Sequence, residues 1–138
     1  MMTEELRASI LANQDGVEAF CWKFQQWLGA DINSRDAFAA ELLLREALVN
    51  GVEHGCHGGD GHEVLCVVRG GKGRIFVFVK DPGAGFDWKN LWNFEVGGDA
   101  CSGRGIQIYK TYGTQVRFNR AGNSVFIKLK LKQKMERN

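Results

Sequence analysis

The chain has 138 residues, which suits one domain with a substantial hydrophobic core, and we predict a single domain over residues 1–138. Hydrophobic residues make up 44% of the sequence and charged residues 25%, which excludes a disordered chain. No apolar run is long enough to cross a bilayer, and a formal net charge of +2 is too small to indicate nucleic-acid binding.

The positive charge is concentrated near the C-terminus, in a run of alternating lysines that begins at Lys128. Because no aromatic residues interleave with this run as stacking platforms, we expect a solvated strand face or tail and no nucleic-acid or membrane partner. The N-terminus shows no signal-peptide pattern, so we expect a cytoplasmic protein with reduced cysteines.

A metal site could be drawn from a cluster of histidines and cysteines between residues 54 and 66, namely His54, Cys56, His57, His62 and Cys66. The cluster lacks a CxxC motif and a closely spaced histidine pair opposite one, and we therefore favour other roles for these residues. Cys21 and Cys66 stand in apolar surroundings and are predicted to be core residues.

The first predicted elements are an edge strand over Glu5 to Leu11 and a helix that Asp15 caps and Gly29 ends. Aromatic and aliphatic residues recur in that helix at helical spacing and indicate a core face. Ser34 is the expected N-cap of a second helix, which runs to Gly55.

The second helix carries the first candidate site. A rotation of about 100° per residue places Glu46 and Asn50 on one face, together with large apolar residues. A carboxylate and an amide that share a helix face with large apolar residues are more plausibly on the wall of a partly closed pocket than in open water.

Two nearly continuous apolar strands follow, over Glu63 to Arg69 and Arg74 to Lys80, joined by a glycine-rich hairpin turn. The second strand ends at Asp81, with Gly83 and Gly85 after it. This pattern fits either a fixed carboxylate beside backbone that a flat ligand can approach, or a Pro-Gly turn with a surface Asp.

Residues 87–102 mix aromatic side chains with glycines, and we predict a short helix around Lys89 to Phe94 followed by a lid-like loop. The segment Gly103-Arg104-Gly105 then stands at the start of a predicted helix, where backbone N–H groups and the arginine favour a phosphate. A final hairpin joins strands over Gln115 to Asn119 and Ser124 to Leu131.

Three motifs in this order resemble the successive boxes of the histidine-kinase-like (GHKL) ATPase superfamily: Glu46-x-x-x-Asn50, Asp81-x-Gly83-x-Gly85-Phe86 and Gly103-Arg104-Gly105-Ile106. The pattern is most similar to the anti-sigma-factor serine-protein kinases, in which His-Gly typically follows the first box. The resemblance implies the α+β Bergerat ATP-binding fold, a two-layer sandwich whose mixed, mostly antiparallel sheet is covered on one face by helices.

The resemblance also implies the cofactors ATP and Mg²⁺ and a role for each motif residue. Glu46 would be the general base, Asn50 would coordinate Mg²⁺, and Asp81 would accept a hydrogen bond from the adenine amino group. Gly83 and Gly85 would permit close approach of the adenine ring. The remaining motif residues, Gly103, Arg104 and Gly105, would contact the phosphates, and residues 87–102 would form the lid.

The function implied is an ATP-dependent kinase that phosphorylates a serine or threonine of an anti-sigma-factor antagonist, sequesters a sigma factor and forms a homodimer. One alternative is a nucleotide-gated interaction module without phosphoryl transfer, whose aromatic lid residues Trp88, Trp92 and Phe94 dock a partner. Those aromatics could equally fold onto the core of their own domain. Another alternative is the detached catalytic domain of a histidine kinase.

Overall fold

In the computed structural model, the residues described are 5–55, 62–85, 87–89 and 101–132, and the side chains of residues 54–55 and 101–106 are outside the description. Five strands are present in this part of the chain: β1 (Glu5–Leu11), β2 (Glu63–Gly71), β3 (Arg74–Lys80), β4 (Gln115–Phe118) and β5 (Ser124–Lys130). They form one sheet in the order β1-β2-β3-β5-β4. Every pairing between them is antiparallel, so no parallel component of the expected mixed sheet is found among the described strands.

Three helices whose full bounds lie in the described part of the chain accompany the sheet: α1 (Gln14–Leu28), α2 (Ser34–Asn50) and α3 (Cys101–Tyr112). The helices and the sheet make the α+β arrangement that the sequence predicted. After α2 the chain continues as a short π-helical segment, Gly51–Gly55, so helical structure reaches the glycine at which the sequence predicted the helix to stop.

Both helix caps differ from the prediction. Asn13 caps α1, because its Oδ1 accepts a hydrogen bond from the Gly16 backbone N–H (2.8 Å), and Asp15 lies inside the first turn. Asn33 caps α2 in the same way through the Asp36 N–H (2.8 Å), which leaves Ser34 as the first helical residue. In each case an asparagine one or two residues upstream supplies the side-chain oxygen that the first turn needs.

The core lies between one face of the sheet and the helices. Alternate strand residues such as Val68, Ile75 and Ile127 are fully buried against apolar residues of the helices, including Phe24 and Leu44. This burial explains the apolar helix stripes read from the sequence, since each stripe is removed from water only when it packs on the sheet. Cys21 and Cys66 are buried free thiols in this core, as predicted.

The turn between β2 and β3 is shorter than predicted, because β2 extends through Gly70 and Gly71. Lys72 and Gly73 form the turn, with φ of 56° and 76°. Two successive positive φ values match the right-handed twist of the strands, and one of the two is adopted by a lysine rather than a glycine.

None of the described helices is long and apolar enough to span a membrane.

Candidate functional site

One pocket brings together residues from four parts of the chain: α2, the end of β3, α3 and the turn between β4 and β5. Asn50 and Asp81, which the sequence singled out separately, both line it. The remaining lining residues are Ala47, Gly51, Val79, Tyr109, Phe118, Gly122, Asn123, Ser124 and Val125. The pocket therefore combines apolar walls with a carboxylate, two amides and a phenol.

On the α2 wall, Asn50 lines the pocket, whereas Glu46, one helical turn earlier and also half-buried, is not among the lining residues. Tyr109 of α3 lies against this wall. The Nδ2 group of Asn50 donates a hydrogen bond to the Tyr109 Oη atom (3.1 Å), and the bond fixes the Asn50 side chain. The sequence treated Tyr109 only as part of an apolar helix, although a buried tyrosine must find a partner for its hydroxyl group, and that requirement was the available signal.

Tyr109 is completely buried and packs edge-to-face on Phe118, with 5.8 Å between ring centroids. Burial raises the pKa of the Tyr109 phenol well above its usual value, and the nearby Glu46 carboxylate adds to the effect. Tyr109 therefore stays protonated at any physiological pH.

Asp81 follows β3 directly and is 7% exposed. Its carboxylate Oδ1 accepts a hydrogen bond from the Gly83 N–H (2.7 Å), and its own N–H donates to the Asn123 carbonyl (2.9 Å). The local arrangement is thus a turn with a fixed, buried carboxylate, so the interpretation of Asp81 as a surface residue was wrong. A buried carboxylate held by backbone hydrogen bonds is suited to receive a donor from a ligand.

The two glycines after Asp81 differ in what surrounds them. Gly83 donates its N–H to Asp81, and its carbonyl accepts from the Asn123 Nδ2 group (3.1 Å). Gly85 has φ of 94°, and a Cβ atom placed there would lie 1.7 Å from the Ala121 carbonyl oxygen. Gly85 is therefore required for close approach of two protein segments, a role that the sequence did not reveal.

Two asparagines of the turn at residues 119–123 hold this part of the pocket. Asn119 Oδ1 accepts from the backbone N–H groups of Gly122 and Asn123 (2.8 and 3.0 Å), which fixes the turn. Asn123 then contacts both ends of the Asp81–Gly83 segment, as described above. The sequence predicted a turn here but assigned it no part in the site.

Trp88 is the one described aromatic residue of the predicted lid. Its ring stacks on Phe118 (5.1 Å between centroids, 18° between planes), and its Nε1 group donates to the Asn119 carbonyl (3.0 Å). This aromatic side chain is folded onto its own domain. Trp92, Phe94 and the rest of 90–100 lie outside the described residues.

Helix α3 begins at Cys101, so Gly103, Arg104 and Gly105 lie within its first turns and not in a loop before it. Their side chains are outside the described part, and their contacts with phosphates stay a prediction. Most of the suggested histidine and cysteine cluster also lies outside it, and the described residues contain no group of three His, Cys, Asp or Glu side chains placed to hold a metal ion.

Comparison with known proteins identified one family. A family model described as "Histidine kinase-like ATPase domain" matches residues 10–129, which include every motif discussed above. No curated protein matches the chain.

Proposed function

Because the chain belongs to the histidine kinase-like ATPase domain family, whose members bind ATP, we propose that it is a regulatory serine/threonine-protein kinase of the anti-sigma-factor type. The observation that carries this proposal is the placement of Glu46 and Asn50, one turn apart on α2, next to the pocket that Asp81 lines.

The pocket residues fit an adenine base. Ala47, Val79 and Val125 offer apolar surface for the ring, and the buried Asp81 carboxylate offers an acceptor for the amino group. The space between them is about 20 Å³, close to the volume of one water. Entry of a purine therefore requires the lining side chains to move apart, and we expect induced fit on binding.

The chain's own residues have separable roles in phosphoryl transfer. Asn50 would hold Mg²⁺ through its amide oxygen, and the metal supplies compensation for the charge of the phosphates. Glu46 accepts the proton of the attacking hydroxyl group, and its place on a rigid helix fixes its position. The α3 N-terminus, with Gly103, Arg104 and Gly105, stabilises negative charge on the transferred group.

The protein substrate in this proposal is an anti-sigma-factor antagonist, which accepts phosphate on a serine or threonine, and the sequestered partner is a sigma factor. The resemblance of the three motifs supports both partners and the homodimer. The match to the histidine kinase-like family supports the nucleotide chemistry on which they depend.

The test is phosphoryl transfer from Mg-ATP to purified antagonist proteins encoded near this one, with wild type and Glu46→Ala. We expect transfer by wild type and a loss of at least a hundredfold in Glu46→Ala, in line with the contribution of a general base. Glu41→Ala is the matched control, because Glu41 lies on the same helix but pairs with Arg45 and Gln25. Its activity should stay near that of wild type.

ATP binding measured by calorimetry tests the nucleotide site separately from phosphoryl transfer. Asp81→Asn should weaken binding, because asparagine keeps one acceptor oxygen and replaces the other with a donor, whereas Asp81 would have to accept from both the Gly83 N–H and the adenine amino group. Intact ATP binding with no transfer to any antagonist would remove the kinase proposal and leave the nucleotide site. Unchanged ATP affinity in Asp81→Asn would contradict the assignment of Asp81 to the adenine amino group.

A second candidate function is a nucleotide-gated interaction module that performs no transfer. Because Trp88 is folded onto Phe118 of its own domain, it is not itself presented to a partner; what supports this alternative is that the same contact joins a lid residue to the pocket wall, through which pocket occupancy would reach the surface. Under this alternative, Glu46→Ala leaves partner binding and its ATP dependence unchanged.

A further inference from the structure

The face of the sheet that points away from the core carries a second group of apolar and charged side chains, distant from the pocket. Buried strand residues alternate with residues of this open face, as in β3, where Ile75, Val77 and Val79 are buried and Phe76 and Phe78 are half-buried on the other side. No described helix packs on the open face; α1 and α2 lie on the core side.

Strand register places five of these residues in one row across the sheet. Arg7 of β1 pairs with Val67 of β2, Val67 with Phe78, Phe78 with Phe126, and Phe126 with Arg117 of β4. Residues directly opposite one another in antiparallel strands share a face. The row thus has an apolar centre of three residues and an arginine at each end.

The apolar centre forms a groove of about 350 Å³, which is lined by Arg7, Leu65, Val67, Arg69, Phe76, Phe78 and Phe126. This volume lies within the range of ordinary ligand and side-chain pockets. The Phe76 and Phe126 rings stack on each other, with 5.8 Å between centroids and 29° between planes.

The rim of the groove is positively charged. Seven cationic residues lie on the open face of the described strands, together with two acidic residues. The cations are Arg7, Arg69, Arg74, Lys80, Arg117, Lys128 and Lys130, and the acids are Glu5 and Glu63. Glu5 is already bound by Arg7 and Arg69 (both 2.7 Å). This one face is more positive than the whole chain, whose formal net charge is +2.

These positions change the interpretation of the lysine run at the C-terminus. Lys128 and Lys130 lie on the same strand face as Phe126, and Lys128 is paired with Phe76. Aromatic residues therefore do accompany the lysines, through a neighbouring strand and through alternation along β5. Lys128 and Lys130 do lie on a strand face, as predicted, but their aromatic neighbours could not be read from a local sequence pattern because one of them lies on another strand.

Charge decides between possible occupants of the groove. A second copy of the chain placed face to face would bring two cationic rims together, which disfavours that arrangement. A partner with apolar side chains in the middle and carboxylates at the ends satisfies both the groove and the rim. We propose that the open sheet face, centred on Phe78 and Phe126 and bounded by Arg7 and Arg117, docks an acidic amphipathic helix of a partner protein.

The sheet also sets the size of that helix. Arg7 and Arg117 are four strand spacings apart, which is about 19 Å. A helix that places a carboxylate near each arginine needs about 13 residues, with its apolar stripe between them. The proposal does not depend on phosphoryl transfer. It concerns the face of the sheet opposite α2, the helix that bears Glu46 and Asn50.

The test uses a fluorescent 14-residue peptide with leucines on one helical face and glutamates at both ends, measured by anisotropy against the full chain. We expect saturable binding that weakens as salt rises, because the rim contacts are exposed and screened. Reversing both end charges in Arg7→Glu/Arg117→Glu should weaken binding at least tenfold. The control Lys23→Glu/Arg35→Glu reverses two exposed cations on the helices and should bind like wild type.

Circular dichroism checks that each variant is folded, and Phe78→Thr provides a second variant that keeps β propensity while removing the apolar anchor. No binding by wild type, or equal binding of the same peptide with lysines in place of glutamates, would overturn the proposal. Self-association that Phe78→Thr abolishes would also overturn it. So would preferential binding of an oligothymidine strand, or of phosphatidylserine vesicles, over the acidic peptide.

Discussion

At the scale of single residues, the contact between Asn50 and Tyr109 organises the candidate site. The Asn50 Nδ2 group donates to Tyr109, so the amide oxygen of Asn50 points away from the phenol. Burial keeps Tyr109 protonated and its ring is held by Phe118, so this orientation is stable. Tyr109 is thus a positioning residue for the amide oxygen that we assign to Mg²⁺.

Tyr109→Phe tests this role. Removing the hydroxyl group leaves the buried ring in place but frees the Asn50 amide to rotate. We expect the gain in ATP affinity that Mg²⁺ provides to fall about fivefold, which corresponds to about 1 kcal/mol for one hydrogen bond. Calorimetric titration of ATP with and without Mg²⁺ measures it.

The affinity for ATP without Mg²⁺ should stay unchanged in Tyr109→Phe, which separates positioning of Asn50 from general damage to the pocket. Tyr112→Phe, on the last turn of the same helix, is the matched control. An equal loss of affinity with and without the metal would show that the hydroxyl group only supports the fold.

The candidate site could be predicted in part from the sequence. Asn50 and Asp81 belong to linear motifs, and the structure places both in one pocket, although their roles stay predictions. Tyr109 and Asn123 could not be found in the same way. Each acts through a contact with a residue at least 40 positions away, and no local spacing records such a contact.

At the scale of secondary-structure elements, the segment after β3 and the turn between β4 and β5 form one unit. Asp81 and Gly83 bind Asn123, and Gly85 packs against the Ala121 carbonyl. The carboxylate at the base of the pocket is therefore positioned by a turn that is distant in sequence. A change in this turn should affect the pocket as strongly as a change in the motif.

Gly85→Ala tests the unit against a control from the same chain. At Gly85 a methyl group meets backbone oxygen at 1.7 Å in a left-handed conformation, whereas at Gly73, with φ of 76°, nothing lies within 4 Å. Gly73→Ala should cost about 1 kcal/mol from backbone strain alone. Gly85→Ala should cost at least twice that and should also weaken ATP binding.

Chemical denaturation gives both free energies of unfolding, and calorimetry gives the ATP affinity. If the two variants lose equal stability and Gly85→Ala binds ATP like wild type, the packing of Gly85 against Ala121 has no part in holding the pocket.

Helix boundaries show why element ends are less predictable than element types. Asn13 and Asp15, two positions apart, are both good capping residues, as are the adjacent Asn33 and Ser34. The structure uses the upstream residue in both helices. Intrinsic preference alone cannot choose between adjacent candidates, because the choice depends on where the preceding loop enters the helix.

At the scale of the whole molecule, the resemblance to the histidine-kinase-like superfamily implied the two-layer arrangement, whereas the full order of the strands was not predicted. The edge position of β1 was predicted, since its short run suits an edge, and it pairs with β2. The pairing of β3 with β5, which leaves β4 at the other edge, joins two strands that α3 and β4 separate in the sequence. No residue pattern within either strand specifies its neighbour.

One buried carboxylate links distant parts of this architecture. Asp36, at the start of α2, is 3% exposed, and its Oδ2 accepts hydrogen bonds from the Lys132 backbone N–H and the Asn33 Nδ2 group (both 3.0 Å). It thereby joins the first turn of α2 to the residues that follow β5. The contact spans 96 positions of the sequence.

Asp36→Ala should lower the free energy of unfolding by about 1–3 kcal/mol, because it removes a carboxylate that accepts two part-buried hydrogen bonds. ATP affinity should not change, since Asn50 lies at the other end of α2, about 21 Å away along the helix. Denaturant titration and calorimetry measure the two quantities, and Asp31→Ala, at an exposed position, is the control. A loss below 0.5 kcal/mol, or a matching loss of ATP affinity at temperatures where the variant is folded, would contradict a link that acts on stability alone.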